Sequence, residues 1–317
     1  MSSVSGKKVV AFGGGHGLAA TLTALRDVTP EITAVVTVAD NGGSSGKIRE
    51  EFNFLPPGDL RMALAALCSA DSWGQSWAEI IQHRFTSEGD LNGHALGNLL
   101  LTALWDSSDD LVAGIDRVGE LLKIVGRVLP MSLDPLDIEG VFRTSKGDEV
   151  IRGQIEVATA KGELISLKLL PEKPRNTPEV LDAIAEADWL TFGPGSWFSS
   201  VMPHFLMKDL AQAISRSSAK KIMIFNLPEP VDADEFAGNT PEQHLELVLS
   251  HLPEFKVDIA IADPAVLTQG NRLAELISKC GGELITAEVA KSGQKHHHDW
   301  EKMSSLFTHI FAPTLLK

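Results

Sequence analysis

Gly13, Gly14, Gly15, His16 and Gly17 follow a short apolar run, Lys8 to Phe12, and precede Leu18, Leu22 and Leu25 at helical spacing. A strand, a glycine turn and a helix in that order aim backbone N–H groups and the positive end of a helix dipole at one spot. The chemistry this suits is binding of an anion, most simply a nucleotide diphosphate. A second strand, Ile32 to Val38, ends in Asp40, Asn41, Gly42, Gly43, Ser44, Ser45 and Gly46. A third, Asp188 to Phe192, ends in Gly193, Pro194, Gly195 and Ser196. In an open parallel sheet such turns meet along one edge, where ligands bind.

Two familiar phosphate motifs are excluded by spacing. The dinucleotide fingerprint requires a glycine at its sixth position, which from Gly13 is Leu18. The P-loop requires four residues before Gly-Lys-Ser/Thr; here only three separate Gly42 from Gly46, and Ile48 stands where the hydroxyl should be. Polar residues elsewhere fit the same anion. Gly58-Asp59 opens the helical pattern LRMALAALC with Asp59 at the N-cap position, and Arg61 puts a cation in a first turn where an acid is the ordinary choice. That placement is expected to serve a phosphate, with little role in stability; pairing of Arg61 with Asp59 or Glu50 is the alternative. His94 and Asn98 stand four residues apart at the start of the apolar helix ALGNLLLTALW, and so share a face. Capping by Asn92 and bonding of Asn98 to a neighbouring loop would explain these residues without a ligand.

These turns need a scaffold, and the remaining sequence supplies an α/β rhythm. Helices are expected at Lys47–Phe52, Trp77–Phe85, Leu111–Ile124, Pro178–Ala187, Val201–Ser215, Glu242–Leu252, Asn271–Cys280 and Asp299–Phe311. Strands are expected at Lys221–Asn226, Val257–Ala262 and Glu283–Val289. From Arg127 to Leu170 the pattern alternates, with turn signals at Lys146-Gly147-Asp148 and Lys161-Gly162. This predicts a small antiparallel β subdomain, residues 127–170, inserted in one domain spanning 1–317 and lying outside the ligand cleft. His296, His297 and His298 are consecutive, do not share a helix face, and read as solvated surface.

At 44% hydrophobic and 22% charged residues the chain can bury a large core. A formal charge of −14 argues against nucleic-acid binding, while Lys47, Arg49 and Arg61 suffice for one nucleotide. Without an apolar leader or membrane-length run, and with Cys68 and Cys280 in apolar helical patterns, a cytoplasmic protein with reduced thiols is expected.

Taken together, TVADNGGSSGKIREEF, LPPGDLRMAL, GHALGNLL and the GPGS turn resemble the YvcK/CofD-like family, which comprises bacterial gluconeogenesis factors and phospholactate transferases. The resemblance runs from about Lys8 to at least Leu252 and favours the YvcK branch, whose members carry GGGTGL and D(D/N)GGSSG. It implies a Rossmann-like three-layer α/β fold around a mainly parallel sheet. It also implies a UDP-sugar ligand, a cytoplasmic role in cell shape and growth on gluconeogenic carbon sources, and an unidentified regulatory partner; a homo-oligomer is compatible with it. Two departures stand out: His16 replaces the usual Thr, and the stretch after Asn226 reads LPEPVDADEFAG. Only Asn226 and His244 carry over there.

Three functions compete. In a nucleotide-sugar-binding regulator the diphosphate lies on the Gly13–Gly17 loop, Asp40 or Asn41 bonds a sugar or ribose hydroxyl, and Gly193–Ser196 closes the other side. This reading requires no cofactor. In a CofD-type transferase Arg61 and Lys47 stabilise the moving phosphate, and Asp40 or Asp59 holds Mg²⁺. A nicotinamide-dependent dehydrogenase is disfavoured by the broken fingerprint.

Overall fold

The computed structural model describes residues 6–108, 110–228, 240–267 and 270–312. Its centre is a seven-stranded sheet of β1 (Val9–Gly13), β2 (Ile32–Val36), β3 (Arg127–Pro130), β7 (Trp189–Phe192), β8 (Lys220–Ile224), β9 (Ile259–Ala262) and β10 (Glu283–Thr286). The order is β10-β9-β8-β7-β1-β2-β3, and neighbouring strands are parallel throughout. β1, β7 and most of β2 and β8 are buried along their length, which is why they read as unbroken apolar runs.

From β1 the chain moves outward through β2 to β3; from β7 it moves the opposite way through β8 and β9 to β10. The point of reversal lies between β1 and β7. Right-handed crossovers in opposite directions place helices on both faces. One layer holds α1 (Gly15–Arg26) and α3 (Pro57–Leu67), with α2 (Gly43–Phe52), α4 (Ser72–Gln82), α5 (Leu96–Asp106) and α6 (Leu111–Leu122) around them. The other holds α8 (Pro178–Glu186), α9 (Met202–Leu206), α10 (Lys208–Arg216), α11 (Pro241–His251) and α12 (Arg272–Lys279). The last helix, α13 (Trp300–Phe311), packs on α1. Phe12 stacks on Phe192 across the reversal point at 4.9 Å, so the two halves of the sheet share one core.

The antiparallel insertion is present but starts later than the alternating pattern suggests. Arg127–Pro130 pairs with β2 and belongs to the main sheet, because Val128 and Leu129 are buried there. The insertion consists of β4 (Asp137–Thr144), β5 (Gly147–Arg152) and β6 (Glu163–Leu170) in the order β5-β4-β6, with the short helix α7 (Gln154–Ala158) between β5 and β6. Other boundaries shift for identifiable reasons. Helix α2 begins at Gly43, four residues before Lys47, so Gly43, Ser44 and Ser45 form its first turn. Helix α4 begins at Ser72 because Asp71 caps it through the Gly74 N–H. The helix expected over Val201–Ser215 is two, α9 and α10, preceded by a π-helical turn at Trp197–Val201. A small hairpin, β11 (Ala290–Lys291) and β12 (Gln294–His298), precedes α13. No helix among the described residues is long and apolar enough to cross a membrane.

Candidate functional site

The Gly13–Gly17 turn and the Gly193–Ser196 turn lie at the reversal point and touch backbone to backbone. A Cβ at Gly17 would lie 2.1 Å from the Pro194 carbonyl oxygen, so only glycine permits this contact. Asn226, at the end of β8, clamps the second turn with both ends of its amide: it accepts from the Gly195 N–H (3.0 Å) and donates to the Gly195 carbonyl (2.9 Å). Its amide is thereby committed to shaping the loop. His16, Gly17, Pro194, Gly195, Ser196 and Asn226 line a cleft of about 310 Å³ whose far wall is His296, His297 and His298. The histidine tract is therefore solvated, as expected for His296 and His297, but it is also a wall of the cleft. His298 is half-buried, and burial lowers its pKa to about 4, against weaker upward pulls from the Phe225 backbone and Asp263.

On the other side of the Gly13–Gly17 turn the polar residues are knitted into the fold. The Asp40 carboxylate accepts from the Gly42 N–H at 2.9 Å, and the Ser45 hydroxyl accepts from the Gly58 N–H at 3.0 Å. Asp59 does not cap its own helix, which starts at Pro57; its carboxylate faces the Gly15 N–H at the start of α1. A Cβ at Gly14 would lie 2.4 Å from Asp59 Oδ2, so Gly14 is what admits this carboxylate. Burial first, and the neighbouring Asp40 charge second, raise the Asp59 pKa to about 7, with the Gly15 N–H and Arg61 pulling it back.

Arg61 is 4% exposed. Its Nε donates to Asn98 Oδ1 at 2.9 Å and its Nη1 to Gln82 Oε1 at 3.0 Å. Asn98 donates to the Ser44 hydroxyl at 2.9 Å, and His94 Nδ1 meets the same hydroxyl at 3.0 Å. Gly97 makes room for the Arg61 side chain, since a Cβ there would lie 2.8 Å from Arg61 Cγ. Arg61 therefore pairs with neither Asp59 nor Glu50. It supports Asn98 from inside the protein, a buried placement at odds with the expectation of little role in stability. Burial lowers its pKa to about 10, which leaves it protonated at neutral pH.

No group of three or more His, Cys, Asp or Glu side chains among the described residues is placed to hold a metal ion; the oxygen donors nearest to that chemistry are Asp40, Asp59 and Asn41. Burial, with the Asp40 charge added to it, raises the Asp59 pKa to about 7, and the buried Asn41 Oδ1 has no hydrogen-bond donor. The insertion is not wholly remote from this corner. Arg49 donates to Asp137 at 2.8 Å, and a Cβ at Gly153 would lie 3.2 Å from the Asn41 amide. Lys146 on its β4–β5 turn and Glu149 on β5 are both exposed.

Several polar groups here carry no legible mark in the sequence. Thr37 donates to the Ser199 carbonyl at 2.9 Å, joining the end of β2 to the π-helical turn. His204, fully buried beneath Phe12, is held neutral by burial, its pKa near 3 despite the Gly13 and Ser200 backbones. His244, which the family resemblance did single out, stacks on Trp197 at 4.4 Å and is lowered by burial to about 4. A π-helical turn is common at functional sites, but residue periodicity does not announce one. A recess of about 370 Å³ at the opposite sheet edge, between Lys8, Glu31 and Arg127, holds salt-bridged charges and none of these turns.

A mostly parallel sheet with helices on both faces defines an α/β protein, and its glycine turns gather at the C-terminal strand edge, where open sheets of this class bind ligands. A profile of the CofD family, described as 2-phospho-L-lactate transferase CofD, matches residues 9–309. The chain is 45% identical over 296 residues to the Mycobacterium tuberculosis protein named "Putative gluconeogenesis factor", covering 91% of this chain and 86% of that one. It is 33% identical to the Listeria innocua gluconeogenesis factor, covering 90% and 89%. The crystal structure of a UPF0052 family member from Bacillus halodurans superposes with a TM-score of 0.82 at 31% identity, over 95% of this chain and 98% of the other. The chain belongs to the YvcK/CofD-like family, among the relatives named gluconeogenesis factors.

Proposed function

We propose that this protein binds a nucleotide sugar, a UDP-sugar by class, in the cleft at the β1–β7 reversal point, and acts as a cytoplasmic regulator of growth on gluconeogenic carbon sources and of cell shape. The observation that carries the reading is the direct contact between Gly17 and Pro194, which joins two glycine turns into one anion-binding edge. The diphosphate lies on the Gly13–Gly17 turn. Asp40 or Asn41 bonds a hydroxyl of ribose or sugar, and the His296–His298 wall faces the remainder. The relatives' names support the gluconeogenic role.

A second reading, a CofD-type transferase, is favoured by the Asp40–Asp59 pair. There Mg²⁺ would be held by Asp40, Asp59 and Asn41 and would supply charge neutralisation for a phosphoryl group; Arg61 would hold Asn98 and Ser44 in place.

A thermal-shift panel separates the readings. A UDP-sugar at one hundred times its dissociation constant adds about 2.7 kcal/mol of stability, several degrees of Tm, and exceeds NAD. A strict Mg²⁺ requirement for the shift selects the transferase, and an equal or larger shift with NAD overturns both.

A further inference from the structure

Among the described residues β5 has one sheet neighbour, β4, and its other edge is open. An open edge of six residues is a template for another strand unless proline, a bulge or repelling charges block it. β5 (GDEVIR) contains no proline, and Val150 at its centre is 63% exposed. β6, at the opposite edge of the same sheet, packs against α9.

The solvent face of this sheet is an ordered charge pattern. Arg152 lies opposite Glu139, which lies opposite Lys168, and both cations salt-bridge Glu139. Two residues along, Val150, Val141 and Ser166 are in line. Two further along, Asp148, Arg143 and Glu163 are in line, with Arg143 salt-bridged to both acids. One outer row is thus plus, minus, plus, and the other is minus, plus, minus. A two-residue turn, Ser145-Lys146, closes the β4–β5 hairpin on the Thr144–Gly147 pair. In such a hairpin the closing pair is hydrogen-bonded, and alternation then turns the N–H and C=O of Asp148, Val150 and Arg152 away from β4.

We infer that β5 is a homodimer interface, pairing antiparallel with β5 of a second copy about a two-fold axis at Val150. In that register the outward groups of Asp148, Val150 and Arg152 meet those of Arg152, Val150 and Asp148 in the copy. The three-stranded sheet becomes six-stranded. Each outer row then reads Lys168, Glu139, Arg152, Asp148, Arg143, Glu163 across the two copies, with signs alternating throughout, and the middle row joins two valines. An axis two residues away sets Asp148 or Arg152 against itself, and one at Glu149 opposes two glutamates. Opposite charges directly across a strand pair stabilise it and like charges oppose it, so this charge pattern selects the two-fold register centred on Val150. The interface is isologous, as closed dimers require.

Sedimentation velocity on the full chain over a range of concentrations tests this. The expected result is a reversible monomer–dimer equilibrium that weakens with salt. Val150→Pro removes an outward N–H while leaving the β4 ladder intact, and should weaken dimerisation at least tenfold with unchanged circular dichroism. Asp148→Arg and Arg152→Glu should each be monomeric alone, whereas their equimolar mixture restores a dimer, because each copy then presents opposite charges to the other. A wild-type protein that stays monomeric at 100 µM, a dimer indifferent to Val150→Pro, or a mixture that fails to associate would each overturn the inference.

Discussion

The two sides of the Gly13–Gly17 turn are built differently. On one side Ser44, Ser45, Arg61 and Asn98 are each 7% exposed or less, and each is hydrogen-bonded to a protein partner. On the other side His16, His296 and His297 are exposed around an open cleft, where Asn226 is bonded to Gly195 and the His296 ring to the Pro228 carbonyl. The first side is a frame that exists before ligand arrives. The second is a surface that a ligand completes. Substitutions in the frame should therefore cost stability and binding together, while substitutions in the open cleft should cost binding alone.

Arg61→Ala is the largest expected break in that comparison. It leaves Asn98 Oδ1 and Gln82 Oε1 without their donor, and should cost about 3 kcal/mol in a urea melt of the free protein. A loss below about 0.5 kcal/mol, the range of surface changes, would mean that the frame does not depend on it. Gly17→Ala forces a Cβ against the Pro194 carbonyl and should cost about 1–3 kcal/mol by overpacking, with the two turns driven apart. Asn226→Ala should cost about 1–2 kcal/mol and free the Gly195 turn, which proteolysis or amide exchange would register.

Asp59 sharpens the comparison through pH. Its native pKa, about 7, lies above the 3.8 of an ordinary aspartate, so between these values the folded protein holds a proton that the unfolded chain has released. Stability from this site is complete below pH 4 and falls as pH rises to 7, where Asp59→Asn should show no such slope. A metal-free anionic ligand should bind more tightly as pH falls through 7, whereas Mg²⁺ should bind more tightly as it rises. Smallest in its effect on the fold is His297→Ala. It should leave stability within about 0.5 kcal/mol and weaken a UDP-sugar by roughly 2–10-fold, the equivalent of one hydrogen bond.

The frame residues stand out in the sequence because they are of unusual type for their positions, although up to 54 residues separate bonded partners. Glycines at strand ends, an arginine in a helical first turn and an asparagine inside an apolar helix each break a local rule. Asp59 and Arg61 stand out in the sequence as misfits, but their partners do not: capping preference describes one helix, and both side chains serve partners outside α3. The open cleft was less legible. Its histidine wall comes from a short hairpin whose sequence, QKHHH, has no periodicity to separate it from a loop. The β3 boundary was missed because a short edge strand of the main sheet runs into an alternating insertion with only Met131–Leu136 between them. The 227–238 stretch, divergent in sequence, lies outside the described residues from 229 onward.

The most direct measurement is amide NMR of the isotope-labelled protein during titration with UDP-glucose, since it reads location as well as affinity. The account predicts saturable shifts at Gly15, Gly17, Gly195 and His297. It predicts none at Lys146 on the exposed β4–β5 turn or at Glu149 on β5, where charge changes should alter affinity by less than about twofold. Shifts centred instead on Lys8, Glu31 and Arg127 at the opposite sheet edge, or no saturable shift at the glycine turns, would contradict it.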